Sequence, residues 1–145
     1  VVVHLLKMAV GIESLVHLSR VQTGRLQKLE QAGEPPVLRH WTRNTPVRVK
    51  EICGGGSLYW IVKGAIRARQ RVTAIEKGVS GKTGKRCAFV LDSALVRTEF
   101  KPMRAMQGWR YLNDDAVPKD LMQRSENGGD LPEDMAQELR DLGLL

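Results

Sequence analysis

Gly54-Gly-Gly-Ser-Leu-Tyr-Trp-Ile-Val-Lys-Gly-Ala-Ile-Arg-Ala-Arg-Gln-Arg71 is the stretch that decides the fold. Its three leading glycines allow a tight change of chain direction, and residues 58–63 are typical of a buried strand with an aromatic pair. After Gly64, polar and apolar residues alternate with period two, which predicts a second strand. A helix over 58–75 also fits the apolar spacing, but Gly64 would weaken it, so we favour strands.

The alternation after Gly64 predicts that the second strand has one basic face and one apolar face. Three arginines of like charge on one strand face repel one another unless acids or a polyanion compensate. The basic face is expected to carry Arg67, Arg69 and Arg71, and the apolar face Ile66, Ala68 and Val72.

Working outward from this stretch, apolar residues at helical spacing predict a long helix, with Ser14 as its N-cap and Gly33 at its C-terminal stop. A turn at 80–85 followed by the apolar run 86–92 predicts a long hairpin. Further strands are expected at 1–10, 37–42, 96–100 and 108–112, a short strand or helical turn at 47–52, and a short helix at 131–142. These elements predict an α+β fold with a small twisted mixed sheet or pseudo-barrel, one long N-terminal helix and a short C-terminal helix.

The composition is typical of a soluble globular protein. Of 145 residues, 42% are hydrophobic and 27% charged, and no apolar run reaches the length of a membrane span. Lys7 interrupts the apolar start, so a signal peptide is not expected. Cys53 and Cys87 lack metal-ligand spacing, which predicts a reducing cytoplasmic setting and no metal or cofactor; a disulfide between the two cysteines stays an alternative.

The charge distribution divides the chain into a basic body and an acidic extension. The net charge is +7, with 20 Lys and Arg against 7 Asp and Glu in residues 1–112, and 3 against 9 in residues 113–145. We therefore predict a basic α+β domain at 1–112 and an acidic C-terminal extension at 113–145. A basic body indicates RNA or another polyanion as partner, although surface charge that only serves solubility is the simpler alternative.

Aromatic residues are few, but most of them stand beside basic motifs. Aromatic faces stack on bases, and guanidinium groups bind phosphate in a bidentate manner. The candidate nucleic-acid-binding residues are Arg43, Arg48, Lys63, Arg67, Arg69, Arg71, Trp109 and Arg110. The alternatives are tryptophans in the core, arginines that only block edge pairing, and arginines bound to the acidic extension.

Enzyme signatures are mostly absent from the sequence. Gly81-Lys82-Thr83 lacks the upstream glycine of a phosphate-binding loop, and there is no nucleophile elbow. A second hypothesis therefore places an anionic small molecule in a pocket, with no catalytic residue assigned. The candidate pocket residues are His40, Glu51, Tyr59 and Trp60.

Five sequence blocks resemble a bacterial family catalogued as domain of unknown function 1489, over residues of about 3–112. Ala9 stands where a cysteine is common in that family, and Met106 where a phenylalanine is usual. The family has no established activity, so the resemblance implies motif boundaries and no reaction. The blocks are His4-Leu-Leu-Lys-Met-Ala-Val-Gly11, Arg39-His-x-Thr-Arg43 with Pro46 and Arg48, Gly55-Gly-Ser-Leu-Tyr-Trp-Ile-Val-Lys-Gly64, Ala68-Arg-Gln70 and Gln107-Gly-Trp-Arg-Tyr-Leu112.

A weaker fold-level similarity links the order of elements to the PUA, ASCH and EVE group, whose members bind RNA or modified bases in a basic cleft. It implies a non-catalytic module that binds RNA or a single strand, although a fold alone does not fix a function. A protein-interaction domain whose acidic extension covers the basic face is the third hypothesis.

Overall fold

The computed structural model describes residues 2–78, 87–104 and 106–121. The predicted turn at 80–85 and the predicted helix at 131–142 lie outside these residues. The described elements, in chain order, are β1 (Val3–Met8), α1 (Leu15–Gln31), β2 (Leu38–Thr42), α2 (Val49–Cys53), β3 (Ser57–Val62), β4 (Ala65–Lys77), β5 (Cys87–Leu91), β6 (Val96–Pro102), β7 (Trp109–Asn113) and a 3₁₀ turn (Asp114–Ala116).

The seven strands form one open mixed sheet. Its order is β2-β5-β4-β3-β1-β7, and β6 also pairs with β4, along the half of that long strand that β5 leaves uncovered. Only β1 and β3 run parallel among these pairs; the others are antiparallel. The predicted α+β class with a mixed sheet is confirmed, and the sheet is not closed, because β2 and β7 stand at its two ends.

The β3–β4 hairpin explains why the central stretch folds as strands. Lys63 and Gly64 both have positive φ, 51° and 78°, as a two-residue type I′ turn requires. At the start of β3, a Cβ atom on Gly56 would lie 2.1 Å from the carbonyl oxygen of Val3. Glycine is therefore required where the chain leaves α2 and enters the sheet beside β1.

Strand β3 is buried on both faces and separates two apolar clusters. On one face, Trp60 packs with residues of α1, including Leu15 and Leu18. On the other face, Tyr59 and Ile61 pack in a smaller cluster. The predicted buried strand over 58–63 is confirmed for residues 58–62, whereas Lys63 is exposed in the turn that follows β3.

A network of buried amides fixes α1 on the sheet. Gln22 of α1 and Gln70 of β4 exchange two hydrogen bonds, of 2.7 and 2.8 Å between the donor and acceptor atoms. The Oε1 atom of Gln70 also accepts from the indole N–H of Trp60, at 2.8 Å, and its Nε2 atom donates to the Asp92 carbonyl, at 3.1 Å. The Gln70 side chain is 0% exposed and makes four hydrogen bonds, which is all that its amide can make.

A β-bulge at Arg67 breaks the predicted alternation of β4. Opposite β3, Ile61 pairs with Ile66 and Trp60 pairs with Ala68, so that Arg67 is the extra residue. The bulge moves Ile66 into the smaller cluster, whereas Ala68 belongs to the cluster under α1. The prediction that Ile66 and Ala68 share one face is therefore wrong.

The beginning of the acidic extension packs against the body. Asp120 forms a bridge with Thr98 of β6, next to a hydrogen bond of 2.8 Å from the Glu99 N–H to the Lys119 carbonyl. Asp114 accepts a hydrogen bond of 2.7 Å from Nε2 of His4, whose Nδ1 accepts from the Ser57 N–H. Within the described ranges, no helix is both long and apolar enough to cross a membrane.

Candidate functional site

Arg67 is buried, although the sequence predicted that it faces solvent. Its side chain is 5% exposed, and its Nε atom donates to the Val62 carbonyl at 2.7 Å. The guanidinium carbon lies 4.5 Å from the centre of the Phe100 ring, a cation–π distance. Because the bulge turns this residue away from Arg69, the prediction of three arginines on one exposed face is wrong.

Arg69 and Arg71 lie on the predicted strand, but only Arg71 is exposed. Two guanidinium nitrogens of Arg69 donate to the two carboxylate oxygens of Asp120, both at 2.7 Å. This hydrogen-bonded pair lowers the pKa of Asp120 and raises that of Arg69. The Nη2 atom of Arg71 donates to the Cys53 carbonyl over a long distance of 3.4 Å.

Two more of the predicted phosphate-binding cations are paired with carboxylates. The ammonium group of Lys63 lies 2.6 Å from Glu13, and both side chains are at least half exposed. This pairing lowers the pKa of Glu13. Arg48 pairs with Glu51, and its guanidinium also lies 5.6 Å from the centre of the Tyr111 ring.

The structure does not bring the four predicted pocket residues together. His40 and Trp60 meet edge to face, with ring centres 5.1 Å apart, and line a small cavity of about 70 Å³ under α1. Tyr59 lies in the other apolar cluster, where burial raises its pKa to about 12. Glu51 pairs with Arg48 on α2.

A larger groove lies where the two end strands of the open sheet approach each other. Its volume is about 510 Å³. We call it the seam groove. It is lined by Lys7, Trp41, Thr42, Arg43, Asn44, Gln107, Gly108 and Trp109.

Aromatic contacts from β7 hold the two sides of the seam groove in place. The indole N–H of Trp109 donates to the Asn44 carbonyl at 2.8 Å, and the Trp109 ring contacts Phe89 of β5 edge to face. The Tyr111 hydroxyl accepts from the backbone N–H of Val47 at 2.9 Å. These contacts fix the loop after β2 against β7, so the groove has preformed walls.

The groove combines cations, aromatic rings and neutral amides. Arg43 is exposed and makes no ion pair with any residue in the described part of the chain. The indoles of Trp41 and Trp109 are half-buried, which leaves ring surface for stacking. Two cationic and two aromatic side chains in one concave surface suit a ligand that carries both phosphates and bases.

Sequence reasoning found Arg43 and Trp109 but missed Lys7, Trp41 and Gln107. Arg110, which was predicted to act with Trp109, points to the opposite face of β7. Side chains alternate along the strand: Trp109 and Tyr111 contact each other on one face. Arg110 therefore shares the other face with Leu112, which lies in the smaller cluster. The signal for Trp41 was present, since Arg39, Trp41 and Arg43 recur with period two. No local pattern connects Lys7 or Gln107 to Trp41.

The described residues offer little support for metal or thiol chemistry. In residues 2–78, 87–104 and 106–121, no three His, Cys, Asp or Glu side chains are arranged to hold a metal ion. Cys53 and Cys87 are free thiols, and burial raises the pKa of both. A raised pKa lowers the thiolate fraction, which is the reverse of activation.

Comparison with known proteins identifies the family. Neither a curated protein nor a solved structure matches the chain. One family model matches residues 5–145, including the acidic extension that lies beyond the blocks that carried the resemblance. The chain therefore belongs to the family described as protein of unknown function (DUF1489).

Proposed function

We propose that this protein binds single-stranded nucleic acid, RNA above all, without catalysing a reaction, and that the seam groove is its binding site. The observation that supports this is the meeting of Trp41, Trp109, Lys7 and Arg43 in one groove of about 510 Å³. The net charge of +7 favours the approach of a polyanion.

Each residue type in the groove has a separate role in the proposed complex. An indole that stacks on a base contributes about 1–3 kcal/mol, whatever the base. Arg43 binds a phosphate through two N–H groups, and Lys7 adds a second positive charge. The amides of Asn44 and Gln107 can hydrogen-bond base edges or the 2′-hydroxyl group that distinguishes RNA from DNA.

The proposal includes a PUA-like architecture and a cytoplasmic location. The helix after the first strand and the β4–β5 pair support the first part. The two free thiols support the second, since a reducing compartment keeps cysteines unpaired.

The test is a salt series of binding measurements. Fluorescence anisotropy with a labelled 12-nucleotide RNA of mixed sequence should give an affinity that falls steeply between 50 and 200 mM salt. Arg43→Gln should weaken binding and reduce the slope of log K against log salt by about 0.7, the value for one phosphate on a single strand. Arg20→Gln is the matched control, because Arg20 is exposed on α1 and does not line the groove.

The outcome for Arg43 decides the proposal. Equal losses for Arg43→Gln and Arg20→Gln would mean that only the overall charge matters. Binding of the wild-type protein that does not change with salt would refute phosphate recognition.

A second candidate function is the binding of an anionic small molecule such as a nucleotide. The volume of the seam groove supports it, because small-molecule sites commonly occupy about 300–1,000 Å³. A mononucleotide that binds as tightly as the 12-nucleotide RNA, and displaces it fully, would favour this candidate.

A third candidate is a protein-interaction domain that its own acidic extension masks. The bidentate contact between Arg69 and Asp120 supports it, since Asp120 belongs to that extension. Under this candidate, a partner would displace the segment that carries Asp120 and bind the uncovered arginine.

A further inference from the structure

A second groove adjoins the seam groove, and Trp41 lines both of them. It lies between the C-terminal half of α1 and β2, and its volume is about 530 Å³. We call it the helix groove. It is lined by Arg25, Lys28, Leu29, Ala32, Glu34, Val37, Leu38, Arg39 and Trp41.

Alternation along β2 explains why the two grooves meet at Trp41. Leu38 is buried in the main apolar cluster, and His40 packs against Trp60, so these two side chains point inward. Side chains of a strand alternate between faces, so Arg39 and Trp41 share the outward side of β2. Arg43 lies in the bend directly after β2 and lines the seam groove beside Trp41, so a cation, an indole and a second cation follow one another along the chain.

The helix groove is itself basic. Arg25, Lys28 and Arg39 line it together with a single carboxylate, Glu34. Arg39 uses its Nε atom to bind Glu76 at 2.7 Å, and both side chains of that pair are partly exposed. Such a pair is weak, and it leaves the terminal guanidinium nitrogens of Arg39 as further donors.

We infer that the two grooves form one continuous track for a single strand of nucleic acid of about five nucleotides or more. The five residues of β2 extend over about 17 Å, and a stacked strand carries one phosphate every 3.4 Å or so. A mononucleotide would fill only the seam groove. A duplex does not fit this role, because its bases are already stacked and cannot reach Trp41.

This inference rests on the proposed function and specifies its ligand. In the bound state, Trp41 stacks on a base at the middle of the track. Phosphates on either side contact Arg43 in one direction and Arg39, Lys28 and Arg25 in the other. The nucleic acid thus runs along β2, from the seam groove beside β7 to the helix groove beside α1.

A length series tests the track on the full chain. Labelled oligouridylates of 2, 4, 6, 8 and 12 nucleotides should bind with an affinity that rises up to about six nucleotides and then levels off. The double variant Arg25→Gln/Lys28→Gln should bind the 12-nucleotide strand about tenfold or more weakly, with a salt slope smaller by about 1.4. Its affinity for the dinucleotide should not change.

The matched control is Arg20→Gln/Lys50→Gln, which removes two exposed cations that line neither groove. Urea unfolding of both double variants checks that each one folds. If the control loses as much affinity as Arg25→Gln/Lys28→Gln, the effect is one of net charge and the track is wrong.

The remaining outcomes separate the track from the proposed function. If Arg43→Gln weakens every length but Arg25→Gln/Lys28→Gln leaves the 12-nucleotide strand unaffected, the track is refuted and the seam groove remains. Equal affinity for a duplex and a single strand also refutes the track. If no oligonucleotide binds the wild-type protein, the proposed function fails, and the track with it.

Discussion

Replacing Gln70 by leucine should destabilise the protein through the partners that the amide leaves behind. Leucine fills a similar volume but makes none of the four hydrogen bonds. The indole N–H of Trp60, the amide of Gln22 and the carbonyl of Asp92 then lose a partner in the protein interior. The loss of stability therefore comes from the partner groups, which the substitution itself does not change.

The size of the effect follows from these contacts. A buried polar group without a partner costs about 1–3 kcal/mol. Counting the Trp60 indole and the Gln22 amide in full gives about 2–6 kcal/mol, and the buried leucine side chain returns about 1.5–3 kcal/mol. The central values of these two ranges differ by about 2 kcal/mol, so we expect Gln70→Leu to lower the free energy of unfolding by about 2 kcal/mol.

Urea unfolding of a double-mutant cycle measures this effect. The variant Gln22→Leu/Gln70→Leu removes both members of the amide pair and therefore leaves fewer buried polar groups without a partner. It should be more stable, by about 1–3 kcal/mol, than the sum of the effects of the two single variants implies. Gln27→Leu, at an exposed position of α1, is the control and should change stability by no more than about 0.5 kcal/mol. Wild-type stability of Gln70→Leu, or strict additivity in the cycle, would show that the network does not hold α1 on the sheet.

Three further predictions concern other residues. Arg67→Met should lower the free energy of unfolding by about 1–3 kcal/mol, because the Val62 carbonyl loses its buried donor. The same variant should leave RNA affinity unchanged. A loss of affinity without a loss of stability would show that Arg67 belongs to the binding site. Absorbance titration at 295 nm should show one phenol that ionises only near pH 12, and Tyr59→Phe should remove that step; a step of the same size in the variant would contradict the assignment. A chain ending at Leu121 should bind RNA more tightly at low salt, since it lacks most of the acidic extension, and unchanged affinity would argue against masking.

The pH dependence of the Arg69–Asp120 pair follows from the lowered pKa of Asp120. A carboxyl group whose pKa is lower in the folded state stabilises the fold above its unfolded pKa, about 3.9, and this contribution disappears as the pH falls through the folded value. Asp120→Asn should therefore be less stable than wild type at pH 7, by less than about 1 kcal/mol since the pair is partly exposed. The difference in urea midpoints should shrink below pH 4; a constant difference down to pH 2 would contradict this origin.

The elements that the sequence predicted well depend on local chemistry. The N-cap of α1 is one example, because the Ser14 hydroxyl accepts a hydrogen bond from the His17 N–H within four residues of chain. The bulge at Arg67 could not be predicted from local sequence. It arises from the register of β4 against β3, and a period-two pattern in one strand does not show where its partners shift.

The candidate site was predictable in part for the same reason. Arg43 was found because it is a basic residue beside an aromatic one, and the spacing of Arg39, Trp41 and Arg43 was also visible in the sequence. Lys7 and Gln107 line the same groove as Trp41 only because the two end strands of the open sheet approach each other. This approach depends on the twist of seven strands, which no single segment encodes.

Charge pairing favours the seam groove over the arginine strand as the proposed binding site. Around the central hairpin, carboxylates already hold Lys63 and Arg69, and a phosphate would have to displace them. In the seam groove, Arg43 makes no ion pair within the described part of the chain, and no carboxylate is among the described residues that line the groove. Cations on a concave surface concentrate positive potential there, so a phosphate can approach Arg43 without first displacing a carboxylate among the described residues.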